Sequence, residues 1–293
     1  MKMDNNQEKD ILGKVRNIEI KSKRLSQNIF AGQYHSAFRG SGMTFSEVRE
    51  YQFGDDIRNI DWNVTARFHH PYVKVFEEER ELTLMLMIDV SSSLDFGTHT
   101  MMKRDKVTEI AATLAFSAIQ NNDKVGVIFF SDRIEKYIPP KKGRKHILYI
   151  IREMLGFKPE SNRTDISMAL RFMMKIMKRQ CTVFLLSDFY DRNSFKDDLL
   201  LANHKFEIMA VQVYDQRAYQ MPDIGLVRTY DAETEEEAWL DTSDKRVRTL
   251  YRDMWLKSNA ELTDVFKKCN VRHVSIATSD DYVKKLMALF DKK

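Results

Sequence analysis

From residue 82 onward, apolar runs and amphipathic stretches alternate along the chain. The runs at 82–90, 124–130, 134–138, 182–187, 206–214 and 272–277 have strand length and are rich in β-branched and aromatic residues, so they predict strands, most of them buried on both faces. Helical spacing predicts helices at 101–120, 144–155, 165–179, 195–202, 245–269 and 280–290. This alternation predicts an α/β fold, a doubly wound and mostly parallel sheet with helices on both faces. The run at 134–138 fits an antiparallel edge strand. Between residues 215 and 243, the pieces GLVRTYD and EEAWLDT, joined by AETE, predict a hairpin inserted in the fold and appended to the sheet.

The first 80 residues read differently. Ile11, Val15, Ile18, Leu25 and Ile29 stand at loosely helical spacing among charges, which predicts an N-terminal helix over 5–30, either docked or a mobile arm. From Gly32 to Arg80, glycines at 32, 40, 42 and 54 split short aromatic and β-branched pieces. A small β-rich extension of strands and ordered loops is expected there, packed on the larger body rather than folding alone. The expected division is therefore 1–80, the N-terminal helix and extension, and 81–293, the main domain.

Composition narrows the class. A chain of 293 residues that is 43% hydrophobic can bury a sizeable core. Its longest apolar run, 82–88, falls far short of the roughly 20 residues of a membrane helix. The opening MKMDNNQEKDILGKV mixes charge signs and has no apolar stretch before a cleavage site, so a cytoplasmic location is expected. Cys181 and Cys269 are far apart and sit in predicted core elements, which predicts reduced packing thiols. Residues 133–179 carry 13 basic against 4 acidic side chains, enough to raise nucleic-acid binding as an alternative. That stretch lacks interleaved aromatics and any zinc, helix-turn-helix or RNA-recognition signature, which favours solvated helix faces.

The sharpest chemistry lies where strands end. Ligands of an open parallel sheet gather outside the carboxyl ends of its strands, and Asp89 closes the first strand there. The loop MIDVSSSLDFG then offers Asp89, Ser91 and Ser93 at alternating positions. Asp188 closes CTVFLLSD in the same way, and Thr164 lies in the loop before a helix. If 134–138 runs antiparallel, the next helix climbs back and delivers Thr164 to the face that carries both aspartates. Two carboxylates and three hydroxyls suit a hard divalent ion, Mg2+ or else Mn2+ or Ca2+. A shell this poor in charge would draw a carboxylate from a partner. The competing reading is that Ser91, Ser93 and Thr164 merely cap loops and that both aspartates cap helices.

These five residues stand in the order of a metal-ion-dependent adhesion site, and the chain from about Leu82 resembles von Willebrand factor A domains. A longer string is more selective: GSGMTFSEVREYQFGDDIRNIDWNVTARFHHPYVKVFEEERE leads directly into LTLMLMIDVSSSL. With DKVGVIFFSDRIEKYIPPKKGRKH, LLSDF, MPDIGLVRTYDAETEEEAWLDT and SIATSDDYVKKL, it resembles the bacterial domain-of-unknown-function 58 family from about Tyr34 to Phe290. The stretch YDAETEE departs from the family pattern, which usually has a glycine after the threonine; only the turn of the hairpin is affected. The resemblance implies a non-enzymatic adaptor or co-chaperone of a MoxR-type AAA+ ATPase. It would work in envelope assembly or stress tolerance beside membrane-attached von Willebrand factor A-like proteins, in the cytoplasm or peripherally at the inner membrane.

Two further segments carry candidate surfaces. In GDDIRNIDWNVTAR, Asp55, Asp56 and Asp61 alternate with Arg58 and Arg67 around Trp62. This is either a recognition surface with an aromatic anchor or an internal salt-bridged brace. His69 and His70 before Pro71 read as loop residues. The loop PPKKGRKH packs Lys141, Lys142, Arg144 and Lys145 together, and by strand direction it should lie on the far side of the sheet from Asp89. It is either a solvated cluster or a patch for an acidic partner or anionic lipid. A metal-dependent hydrolase using Asp89 is the other functional alternative, although Ser91 occupies the place where a haloacid dehalogenase-type phosphatase keeps its second Asp.

Overall fold

The computed structural model describes residues 13–22, 43–78, 82–98, 101–230 and 237–291. Two compact units divide them: the helix at residues 13–22 goes with the described residues from Thr83 onward, and residues 43–78 with Leu82 form the second unit.

The second unit is small. Strands β1 (Met43–Glu50) and β2 (Tyr72–Glu78) pair antiparallel, with an irregularity between Phe45 and Glu47. Between them lies a helix, α2 (Trp62–Phe68), where only strands and loops were expected. It forms because Asp61 caps it, accepting from the backbone N–H groups of Asn63 and Val64. It stops at His69, whose φ of 59° is left-handed. The 3-10 turn before it is capped likewise by Asp56, and Asp55 takes a two-pronged ion pair from Arg49 at 2.7 Å. Asp55, Asp56 and Asp61 are thus committed to bracing their own segment. Trp62 stands 71% exposed.

In the main unit, α1 is the helix at residues 13–22. The chain continues through β3 (Thr83–Asp89), α3 (Lys103–Gln120), β4 (Lys124–Phe130), β5 (Ile134–Lys141) and α4 (Arg144–Gly156). It goes on through α5 (Ile166–Ile176), β6 (Thr182–Ser187), α6 (Lys196–Lys205) and β7 (Glu207–Tyr214). Last come the hairpin β8 (Leu226–Tyr230) and β9 (Glu237–Asp241), then α7 (Lys245–Lys268), β10 (Arg272–Ala277) and α8 (Tyr282–Asp291). The six-stranded sheet has the order β10-β7-β6-β3-β4-β5, parallel except for the edge strand β5. The remainder of the helix expected over 5–30, and the AETE turn, lie outside the described residues.

The core explains the apolar runs. Leu84 to Ile88 and Val183 to Leu186 are buried on both faces, as central parallel strands require. Met85, Met87, Ile128, Val183 and Leu185 pack with Ile166, Leu170 and Met173 of α5, Leu199 of α6 and Phe266 of α7. On the opposite face Phe184 meets Phe290 of α8, and Phe129 stacks on Phe157. The hairpin corrects one expectation: β8 and β9 form a two-stranded sheet of their own instead of extending the main one. Their outward positions Leu226, Tyr230 and Trp239 are exposed. Among the described residues no helix is long and apolar enough to cross a membrane.

A close approach seals the β4–β5 edge. A Cβ built on Gly126 would stand 2.7 Å from the Met85 sulfur and 3.0 Å from the Pro140 backbone nitrogen. The strand register shifts at this point. Gly126→Ala should therefore destabilise the protein by about 1–3 kcal/mol, measured by urea unfolding; unchanged stability would show that the edge yields freely.

Candidate metal centre

Strand register sets the position of the site. Asp89 pairs with Phe130 at the carboxyl end of β4, and Ile88 pairs with Leu186, one residue before β6 ends at Ser187. The β3 and β6 strands thus deliver Asp89 and Asp188 to the same sheet end. The Asp89 side chain is fully buried. Its Oδ1 accepts the Ser91 N–H at 2.9 Å, and its Oδ2 accepts the Ser187 hydroxyl at 2.6 Å. Loss of water and the nearby Asp188 carboxylate push its pKa up to about 6, against the pull of the Ser187 and Ser91 bonds.

The hydroxyls follow from the loops. Ser91 and Ser93 stand with their oxygens 2.9 Å apart, so the alternating positions of the loop face one point. The Ser92 hydroxyl and N–H both reach the Asn162 carbonyl, at 3.1 and 3.4 Å. On its other side the same segment is tied to the loop after Asp188, where Asp191 accepts the Ile166 N–H at 2.8 Å. Thr164 lies between these two ties. The cap of α5 is Asp165, which accepts from the Met168 N–H; Thr164 is therefore not spent on capping. It is 7% exposed, and its hydroxyl oxygen is buried without a hydrogen-bond partner. Leaving a buried hydroxyl unpaired costs about 1–3 kcal/mol, which calls for a partner such as an ion.

Asp188 makes two bonds. Its Oδ1 accepts the Tyr190 N–H at 3.2 Å, and its Oδ2 accepts from the Lys103 ammonium at 2.8 Å. The chain after it turns through Phe189 at φ 59°, a conformation that bulky side chains rarely adopt. Phe189 is held there by its contacts with Phe195 and Phe266 and by donating its N–H to the Ser187 hydroxyl. Backbone strain of this kind tends to gather at functional sites.

This donor set fits a hard divalent cation: two carboxylates and three hydroxyls, all oxygen. Among the described residues no group of three or more His, Cys, Asp or Glu side chains could hold a metal. Any ion here would thus depend on the hydroxyls. A cavity of about 10 Å³ beside Asp89, walled by Val107, Phe129 and Met154, has room for about one water. Sequence reasoning missed Lys103 and Ser187. For Ser187 the signal was a hydroxyl closing the apolar run VFLL, and for Lys103 it was a cation in the first turn of a helix.

The other candidate residues do not belong to this donor set. Lys141 pairs with Val125 at the amino end of β4, away from the end that carries Asp89. Arg144 of that cluster is engaged with Glu19 of α1. Asp55, Asp56, Arg58, Asp61, Trp62 and Arg67 belong to the small second unit.

A family model described as a protein of unknown function, DUF58, matches residues 47–261. An uncharacterized protein of Mycobacterium bovis is 28% identical over 271 residues, which cover 92% of this chain and 85% of the relative. The crystal structure of an aerotolerance-related membrane protein from Bacteroides fragilis, carrying multiple mutations to serine, superposes with a TM-score of 0.50 at 12% identity. That match covers 72% of this chain and all of that one. The SpRpn10 VWA domain aligns at a TM-score of 0.40 and 11% identity, over 73% of this chain and 95% of its own. The fold is the expected α/β one, a mostly parallel sheet with an antiparallel edge strand.

Burial of Asp89 has a pH signature. Its folded pKa of about 6 lies above the ordinary carboxylate value near 4, so the folded state holds this proton more tightly. Its contribution to stability is full below about pH 4, declines as pH rises to about 6 and is flat beyond. In chelator, Asp89→Asn should gain on the wild type over that window by on the order of 2–3 kcal/mol, measured by urea unfolding. Parallel pH profiles for the two proteins would contradict the burial described.

Proposed function

The chain belongs to the DUF58 family of proteins of unknown function, and we propose that within it this protein is a metal-ion-dependent protein-interaction module. The observation that carries the proposal is the Thr164 hydroxyl, buried without a partner in a loop tied to both aspartate-bearing loops. Ser91, Ser93 and Thr164 would hold the ion, with Asp89 and Asp188 balancing its charge. Bound there, Mg2+, or Mn2+ or Ca2+ in its place, supplies an electrophilic position that an outside carboxylate can complete.

The partner in this proposal presents an acidic side chain. The family resemblance points to a MoxR-type AAA+ ATPase, for which this chain is an adaptor or co-chaperone in envelope assembly or stress tolerance. Membrane-attached von Willebrand factor A-like proteins are the second class of partner, with the protein in the cytoplasm or peripheral at the inner membrane. Of the matched structures, the Bacteroides fragilis protein is itself described as an aerotolerance-related membrane protein.

Two observations favour binding over the alternatives. Two residues after Asp89 stands the buried Ser91, engaged with Ser93, where a phosphatase of the haloacid dehalogenase type would hold an acid. Four of the basic residues in the stretch 133–179 are paired with acids. Arg133 pairs with Glu160, Lys136 with Glu153, Arg144 with Glu19 and Arg171 with Asp198. Such pairing reduces the positive footprint that the stretch offers to nucleic acid.

Asp89→Ala and Asp188→Ala should stay folded and lose Mn2+ binding in calorimetry, while Ser93→Ala weakens it less. A pull-down from the native host should retain its partner in Mg2+ and release it in chelator or with Asp89→Ala. Retention under all three conditions would contradict the metal-dependent reading.

A further inference from the structure

The Lys103 ammonium lies against Asp188 at 2.8 Å, and both side chains are about nine-tenths buried, at 11% and 9% exposure. Lysine is poorly suited to this position in the helix. It is the first residue of α3, where the dipole end is positive, and the preceding Met102 offers no side-chain cap. Local helix energetics would place an acid there, so Lys103 must be favoured by what it faces, which is Asp188.

Backbone geometry ties this lysine to the serine loop. The Lys103 N–H donates to the Phe96 carbonyl at 3.0 Å, and a two-residue ladder pairs Gly97 with Met102 and Thr98 with Met101. Gly97 is needed there, because a Cβ on it would stand 2.5 Å from the Met102 Cα. The loop that begins at Asp89 therefore ends clamped to the start of α3. The ammonium also lies 5.8 Å from the Phe96 ring centroid, and Phe96 is 48% exposed. A cation released from Asp188 has an aromatic face beside it, on the way to solvent.

We propose that Lys103 is a built-in counter-ion, which neutralises Asp188 in the ion-free site and has to be displaced before a divalent cation can bind. The proposal rests on the metal reading above. A divalent ion and the ammonium compete for the same carboxylate and repel one another at close range. Lys103 thus sets the ion concentration at which the site fills, and it keeps two neighbouring carboxylates from standing unbalanced when the site is empty.

The test is calorimetric titration of the full chain with Mn2+, using wild type, Lys103→Met, Lys103→Gln, Lys103→Arg and Asp89→Ala. Thermal unfolding in chelator and in saturating Mn2+ is measured alongside. Lys103→Met and Lys103→Gln should bind Mn2+ more tightly by on the order of tenfold or more, whereas Lys103→Arg, which keeps the charge, stays near wild type. The two neutral variants should be less heat-stable than wild type in chelator and regain that loss in Mn2+. Binding by the neutral variants alone, with none in wild type, would support the proposal most directly. If Asp89→Ala abolishes binding while the neutral variants bind no tighter than wild type, the counter-ion role falls and the metal reading stands. If none of the proteins binds Mn2+ at Asp89, both fall.

Discussion

Taking the Asp89 carboxylate out of water at the end of a central strand creates a debt that the surrounding residues are arranged to meet. A fully buried carboxylate is costly unless donors or a cation answer it. Here the Ser91 amide and the Ser187 hydroxyl each satisfy one oxygen, and they fall short of offsetting burial, since the proton is still held up to about pH 6. Asp188, brought alongside by the neighbouring strand, makes the balance worse and is itself answered by Lys103. The Ser91–Ser93 pair, the idle Thr164 hydroxyl and the left-handed turn at Phe189 are all features of the shell around this one group.

The sheet makes such an arrangement possible. With β3 and β6 adjacent and parallel, two aspartates far apart in sequence end at one level. The antiparallel edge strand β5 returns the chain so that α4 can carry the Thr164 segment to the same end, while Lys141 is left at the other. Within the small unit three aspartates are spent internally: Asp55 on Arg49, Asp56 and Asp61 on caps. Its exposed Trp62 is not an internal anchor.

Much of this was legible in the sequence because it depends on simple periodicities. Strands buried on both faces read as unbroken apolar runs, and an aspartate or serine at the end of such a run is conspicuous. Helix α2 was missed because seven residues are too few for an amphipathic period to emerge; its marks were the Asp61 cap and the His69–Pro71 stop. The hairpin read correctly as a hairpin and wrongly as part of the sheet, since alternation within two strands does not say what lies beside them. The role of Lys103 was hidden for a different reason. Its partner is 85 residues away, and a lysine in a helical segment has the appearance of ordinary solvated charge.

The central claim, that the Asp89 end of the sheet is built to take a divalent cation, is tested most directly by crystallography with anomalous diffraction from manganese-soaked crystals. The account predicts a manganese peak bounded by Asp89, Ser91, Ser93, Thr164 and Asp188, with the Lys103 ammonium withdrawn from Asp188. A map with Lys103 still on Asp188, and with no peak at that end of the sheet in saturating manganese, would contradict it.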